Sequence, residues 1–272
     1  MTNEELKALK PDMLTPAEIT AKAEGLALTK VNMPPAKAFV AGMLAGAFIS
    51  FGAMYFCLFQ GDPDLSFAVQ RFAGALCFCL GLVLVLCCGA ELFTGNTLMS
   101  IAKANKKISW GQLLKSWGIV YVGNLVGALL VVFLVYMSNM QGMNEGLVGQ
   151  AMVNAGASKA ALPWVTAFFK GIVCNALVCL AVWMGFSART VVDKFVAVLF
   201  PISGFVACGY EHCVANMFFL PMSFLLHKPG VGEPGAIDMM GILSNLSAAT
   251  LGNIVGGAIL VGLAYWFLYG RK

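Results

Sequence analysis

Charge is scarce in this chain. Of its 272 residues, 11% are charged, against roughly 25% in a soluble domain, while 60% are hydrophobic. That balance excludes an ordinary soluble enzyme or binding module and marks an integral membrane protein in contact with a lipid bilayer. The basic residues form no long tract, so a net charge of +4 does not point to nucleic acid. Histidine is rarer still, with two copies. The nine cysteines (Cys57, Cys77, Cys79, Cys87, Cys88, Cys174, Cys179, Cys208 and Cys213) sit in or beside apolar runs and include no C-x-x-C pair. A zinc or iron–sulfur site is therefore not expected, and the thiols read as small, polarisable packing groups. No cofactor and no catalytic residue is expected. No secretory leader is expected either, because the first 35 residues are polar and charged.

What the chain has in quantity is long apolar runs. Residues 1–35 form a cytoplasmic segment in which Thr15, Pro16 and Glu18 read as the start of an amphipathic helix. Ile19, Ala23 and Leu26 share one of its faces, and Pro34-Pro35 ends it. Six spans follow over residues 36–270. They run about Ala36–Phe59, Phe67–Ala102, Leu113–Met137, Leu162–Ser187, Phe195–Leu226 and Ile242–Tyr269. The second run would be about 54 Å long as one helix, against a hydrocarbon core of about 30 Å. It should be interrupted, around Gly89, Glu91, Gly95 and Asn96. The fifth should be interrupted as well, since it contains Pro201, Gly204, Gly209 and Glu211-His212. With the amino terminus cytoplasmic, thirteen Lys and Arg fall inside: five in residues 1–37, then Lys103, Lys106, Lys107, Lys115, Arg189, Lys194, Arg271 and Lys272. Four fall outside: Arg71, Lys159, Lys170 and Lys228. That asymmetry places both termini in the cytoplasm.

The two overlong spans share a motif. Cys88–Asn96 and Cys208–Asn216 both fit C-G-x-E-x-x-x-x-N, offset by 120 residues. Two further matches are collinear with it. Ala38–Gly42 resembles Ala167–Gly171, and Gly123-Asn-Leu-Val-Gly127 resembles Gly252-Asn-Ile-Val-Gly256, both offset by 129. The expected fold is all-α, with six transmembrane helices in two inverted three-helix repeats, about 36–138 and 160–270. Spans 2 and 5 are broken. Paired broken helices of this kind flank a transport path near the midplane. The recurring G-x-x-x-G pairs let helices approach closely.

The motif also locates the chemistry. An ionisable pair, Glu211-His212, stands in the middle of a membrane span, where it is expensive and hence functional by default. Backbone N–H groups freed at the breaks, at half-helix N-termini, should favour an anion. Two carboxylates in the path would repel one, so Glu91 and Glu211 are expected to brace the breaks by accepting loop N–H bonds. Asn96, Asn124, Asn175, Asn216 and Asn253 are candidate members of that polar network. Thr94 is placed by the repeat to fix the His212 imidazole or the cargo. Phe78, Leu82 and Phe205, upstream of the breaks, are candidate apolar constrictions. A bare anion loses far more hydration there than a neutral acid, which points to a weak monovalent acid.

These residues resemble a known family. Gly89-Ala-Glu-Leu-Phe-Thr94, Trp110-Gly-Gln-Leu113, Gly123–Leu130, Leu180–Met184, Gly209-Tyr-Glu-His212 and Ala215–Phe218 look like the formate/nitrite transporters, nearest to the bacterial formate channels, over residues 14–270. The resemblance implies an aquaporin-like protomer, a homopentamer in the bacterial inner membrane, and a bidirectional, proton-linked path for formate through His212. It implies a loop at Leu92-Phe93-Thr94 in span 2 and constrictions at Phe78, Leu82 and Phe205, with Leu92, Phe93, Thr94, Asn175 and His212 also on the substrate path. It assigns Asn175, Glu211, Asn216 and Asn253 to the supporting network, and Lys159 to drawing in anions. Nitrite, hydrosulfide and acetate are alternative cargoes, because Tyr210, Cys213 and Lys170 depart from the pattern. A membrane redox subunit would need metal ligands at proper spacing, and a water channel would not need Lys159 or His212.

Overall fold

The computed structural model describes residues 2, 13–227 and 237–271. Lys7, Lys10, Lys228 and Lys272, which enter the charge asymmetry, lie outside the described residues. Thr15 caps helix α1 (Pro16–Val31) in a reciprocal capping box with Glu18, as the spacing predicts. Ile19, Thr20, Ala23 and Ala27 are its buried face. Leu26 is only half-buried, so the buried stripe is shifted by one position from the expected one.

The chain continues through α2 (Pro35–Gln60), α3 (Phe67–Cys88), α4 (Phe93–Asn96), a 3-10 turn at Thr97–Met99, α5 (Ser100–Ala104), α6 (Trp110–Met137), α7 (Leu147–Ala160), α8 (Trp164–Ser187), α9 (Val191–Ala207), α10 (Cys213–Leu226) and α11 (Met239–Ile254). The last helix runs on as π-helical turns over Val255–Leu263 and Trp266–Gly270. Among the described residues five helices are long and apolar enough to cross a membrane: α2, α3, α6, α8 and the α11 run to Gly270. The chain is a multi-pass membrane protein.

The interruptions are narrower than the sequence suggests. α3 stops at Cys88 because Gly89 takes the left-handed conformation, with φ of 78°. Gly95 and Asn96, expected in the break, are helical again in α4. In the second motif Gly209 is left-handed, with φ of 69°, and α10 restarts at Cys213. Pro201 and Gly204 lie inside α9 and break nothing. Helix α7, which carries Lys159, was not anticipated; it lies in the connection between the two candidate repeats.

Glycine sets the packing. A Cβ on Gly46 would sit 2.0 Å from the Asn124 carbonyl oxygen, and one on Gly127 would sit 1.9 Å from that of Met43. α2 and α6 therefore touch backbone to backbone. The α8–α11 crossing has the same form: a Cβ on Gly252 would lie 2.2 Å from Phe168 O, and one on Gly256 2.1 Å from Ile172 O. Such contact is the use of small residues where no water drives helices together.

Candidate functional site

α3 and α9 pack side by side, with the C-terminal end of each beside the N-terminal part of the other. Each then turns back through a short loop, 89–92 or 208–212, and the two loops meet at the centre. There Thr94 Oγ1 lies 3.0 Å from His212 Nε2, both side chains buried. His212 is the N-cap of α10, and its Nδ1 accepts from the Ala215 N–H at 3.0 Å. A neutral imidazole whose Nδ1 is an acceptor carries its proton on Nε2. His212 therefore donates to the Thr94 hydroxyl. The Phe205 ring stacks on the imidazole at 5.8 Å.

Asparagine side chains hold the first N–H group of each restarting helix. Asn124 Oδ1 accepts from Phe93 N at 3.0 Å, and its Nδ2 donates to Gly42 O at 2.8 Å and Glu91 O at 2.9 Å. Asn253 repeats the pattern: Oδ1 accepts from Cys213 N at 2.9 Å, and Nδ2 donates to Gly171 O at 2.8 Å and Glu211 O at 2.9 Å. The expectation that Glu91 and Glu211 take loop N–H bonds is thus corrected. Asparagine does that, because unpaired donors at membrane depth are costly. The carboxylates instead bind side chains. Glu211 accepts from Lys159 at 2.9 Å, Asn216 at 2.7 Å and Asn245 at 3.0 Å. Glu91 accepts from Lys30 at 2.6 Å and Asn96 at 2.8 Å. The same bonds take the N–H groups of Phe93 and Cys213 out of the offer expected for an anion.

Lys30, which bonds Glu91 and Asn96 beside the first break, is one site residue that sequence reasoning missed. It was counted only as a cytoplasmic charge. Yet Thr29-Lys30 and Ser158-Lys159 stand 129 residues apart, the offset of the other repeats, and that spacing was the available signal. Asn245, bonded to Glu211, Asn216 and the Lys159 carbonyl oxygen, was missed too.

Two cavities open toward the centre from opposite ends. The larger, about 360 Å³, is lined by Arg71, Lys159, Lys170, Tyr210, Glu211 and the aromatic residues Phe78 and Phe205, and it reaches His212. Three of the four residues in the smaller basic set, Arg71, Lys159 and Lys170, thus face one space. The smaller cavity, about 70 Å³, is lined by Ala23, Leu26, Ala27 and Lys30 of α1 with Leu82, Leu86 and Leu92. Lys22 on the same helix donates to Phe186 O at 2.5 Å. Burial, and then the charges of Lys194 and Arg189, lower its pKa from the ordinary lysine value. Between the cavities lies a gap of only about 10 Å³, walled by Phe78, Leu82, Leu92, Phe205 and His212. A site needs about 10–15 Å³ to hold one water, so the centre has room for one water at most, and Ile49, Val178 and Ile202 complete its walls.

Thr94, Phe93 and Asn175 line none of these three spaces. The Phe93 ring packs edge-on against Trp117 and Tyr121. Asn175 lies behind the Thr94 loop, donating to Thr94 O at 3.2 Å, Thr97 Oγ1 at 3.1 Å and Asn253 O at 2.6 Å. Both support the loop and neither lines the cavities. No cluster of three or more His, Cys, Asp or Glu able to hold a metal exists among the described residues.

The family model described as formate/nitrite transporter matches residues 17–267. The chain is 38% identical to the formate channel FocA of Escherichia coli (strain K12), covering 98% of this chain and 99% of that one. A solved structure described as a pentameric formate channel with formate bound superposes with a TM-score of 0.79 at 36% identity, over 87% of this chain and 98% of that one. An FNT family ion channel superposes with a TM-score of 0.81 at 30% identity, over 92% and 98%. Matched along almost its whole length in sequence and in fold, the chain belongs to the formate/nitrite transporter family.

Proposed function

We propose that this chain forms a homopentameric channel for formate, in a bacterial inner membrane with both termini cytoplasmic, each protomer carrying its own path. The observation that carries the proposal is the His212–Thr94 contact, buried in a shut apolar gap between two cavities that each hold a lysine. In the larger cavity Arg71 and Lys170 stand beside the neutral Lys159–Glu211 pair and raise the local concentration of anions. The gap, lined by Phe78, Phe205, Leu82 and Leu92, opposes a bare charge far more than a neutral acid. A proton taken up from water in a cavity charges the His212 ring, and a formate ion that has replaced Thr94 at Nε2 then accepts the Nε2 proton, leaving a neutral imidazole and formic acid. Charging the ring requires Nδ1 to release the Ala215 N–H, so the imidazolium is short-lived and exists only beside an anion. Formic acid then crosses either slit, and transport runs in both directions.

The supporting frame is six crossings, with α9 and α10 together making the fifth, arranged as inverted repeats over residues 36–138 and 160–270 in an aquaporin-like protomer. Residues 1–35 are a separate cytoplasmic segment under the inner mouth. Positions related by the repeat offsets touch one another, as expected of residues on a pseudo-twofold axis. Tyr121 bonds Thr250, and the Cys79 thiol meets Leu199 O. The large cavity is the outer mouth and the small one the inner.

The test is flux through reconstituted liposomes for formate, nitrite, hydrosulfide and acetate across pH, with His212→Asn and His212→Phe beside the wild type. Formate flux that rises as pH falls and collapses in both variants is the expected result. Unchanged flux with unchanged pH dependence removes the proton exchange, and wild-type flux of nitrite or hydrosulfide but not formate overturns the cargo.

A further inference from the structure

The C-terminal ends of α3 and α9 open onto different cavities, and a cation from the opposite helix meets each one. Arg71, in the second turn of α3, donates from Nε to Ala207 O at 3.1 Å and from Nη2 to Val206 O at 2.8 Å. Lys194, in the first turn of α9, donates to Leu86 O at 3.0 Å. Leu86 and Val206 stand 120 residues apart, the offset of the doubled motif.

We propose that Arg71 and Lys194 are positioning residues for anion entry, each cancelling the negative helix end that opens onto one mouth, so that a small monovalent carboxylate is admitted from either face. The proposal rests on the transport reading above. A helix C-terminus carries about half a negative charge in its last carbonyls. Val206 and Ala207 line the large cavity, and Leu86 lines the small one. Without a cap, an approaching carboxylate would meet those carbonyls and be repelled. The first donors of α10 offset this only in part, since Asn253 and His212 already hold the N–H groups of Cys213 and Ala215. The rest of the correction therefore has to come from side chains. Arg71 is placed for it: the guanidinium takes two carbonyls, faces the cavity, and is held 5.4 Å from the centre of the Phe56 ring. Lys194 applies the same device at the other mouth with a single bond.

The test is initial formate flux against concentration, measured from each face of liposomes holding the full chain in one orientation. Arg71→Gln is expected to raise the half-saturating concentration about three- to tenfold from the large-cavity face alone, leaving maximal flux within about twofold. Lys194→Gln is expected to do the same from the opposite face. Arg71→Lys should restore most of the wild-type value, and high salt should shrink each difference. A fall in maximal flux from both faces would mean that the caps are merely structural, and unchanged half-saturation in both variants would mean that they are idle; either overturns the proposal. Should Arg71→Gln fail to assemble, Lys194→Gln, which removes one bond, decides it. A wild type that carries no formate defeats the transport reading, whereas wild-type flux with no face-specific change defeats only this one.

Discussion

Truncating Asn253 to alanine tests how the breaks are held. The side chain joins α11 to α8, to the loop after α9 and to the start of α10 through three buried bonds. Gly171 O lies inside a helix and keeps its backbone partner. The Cys213 N–H and the Glu211 carbonyl oxygen are left unpaired in a buried place. Each such group costs about 1–3 kcal/mol, so Asn253→Ala should destabilise the protein by about 2–6 kcal/mol. Asn124 makes the corresponding bonds to Gly42 O, Glu91 O and Phe93 N, so Asn124→Ala should match it within about 1 kcal/mol. Equilibrium unfolding in detergent gives both numbers. Formate flux should fall with each, since His212 and Thr94 are carried on the loops these residues hold. A loss below about 1 kcal/mol for Asn253→Ala, or a large loss for one asparagine alone, would refute the claim that the two breaks are built alike.

Other substitutions follow from the same geometry. Gly127→Ala and Gly256→Ala drive a methyl group to 1.9 and 2.1 Å from backbone oxygens; each should lower stability in thermal unfolding by at least about 1–3 kcal/mol. Gly25→Ala in α1 meets nothing within 4 Å and should raise stability by about 0.5–1 kcal/mol. Thr94→Val removes the partner of His212 Nε2 and should cut formate flux by at least about fivefold, while Thr94→Ser keeps the hydroxyl and most of the flux. Lys30→Met frees α1 from Glu91, so hydrogen exchange should quicken across Pro16–Val31 and not across α7; Lys159→Met should give the converse.

Much of this was legible because membrane burial writes itself into spacing. The doubled C-G-x-E-x-x-x-x-N motif located both breaks, since only glycine turns a helix at φ of 78° or 69° without strain. The paired G-N-[LI]-V-G segments located both close crossings. What stayed hidden was pairing across space. Lys30 meets Glu91 from 61 residues away and Lys159 meets Glu211 from 52, and no local pattern links them. Helix α7 was missed because it is short, and Gly149 and Gly156 weaken its helical pattern.

The least legible feature was the direction of the field at the breaks. Read locally, a broken helix offers bare N–H groups, and a carboxylate in the motif looks like their acceptor. The fold assigns these jobs differently. Asn124 of α6 and Asn253 of α11 take the N–H groups of Phe93 and Cys213, lysines take the carboxylates, and an arginine and a lysine take the carbonyls of the opposing helix ends. Each backbone group so paired is one that a passing anion can neither use nor be repelled by. In the proposed path, discrimination at the centre is left to one imidazole and seven apolar side chains. Such a site has little means to measure the shape of its cargo. The proposed path distinguishes solutes by how readily they shed charge, because the neutral form of a weak acid passes an apolar slit that its ion cannot. Small weak acids of similar size should then share the path, and the anion of a strong acid should not.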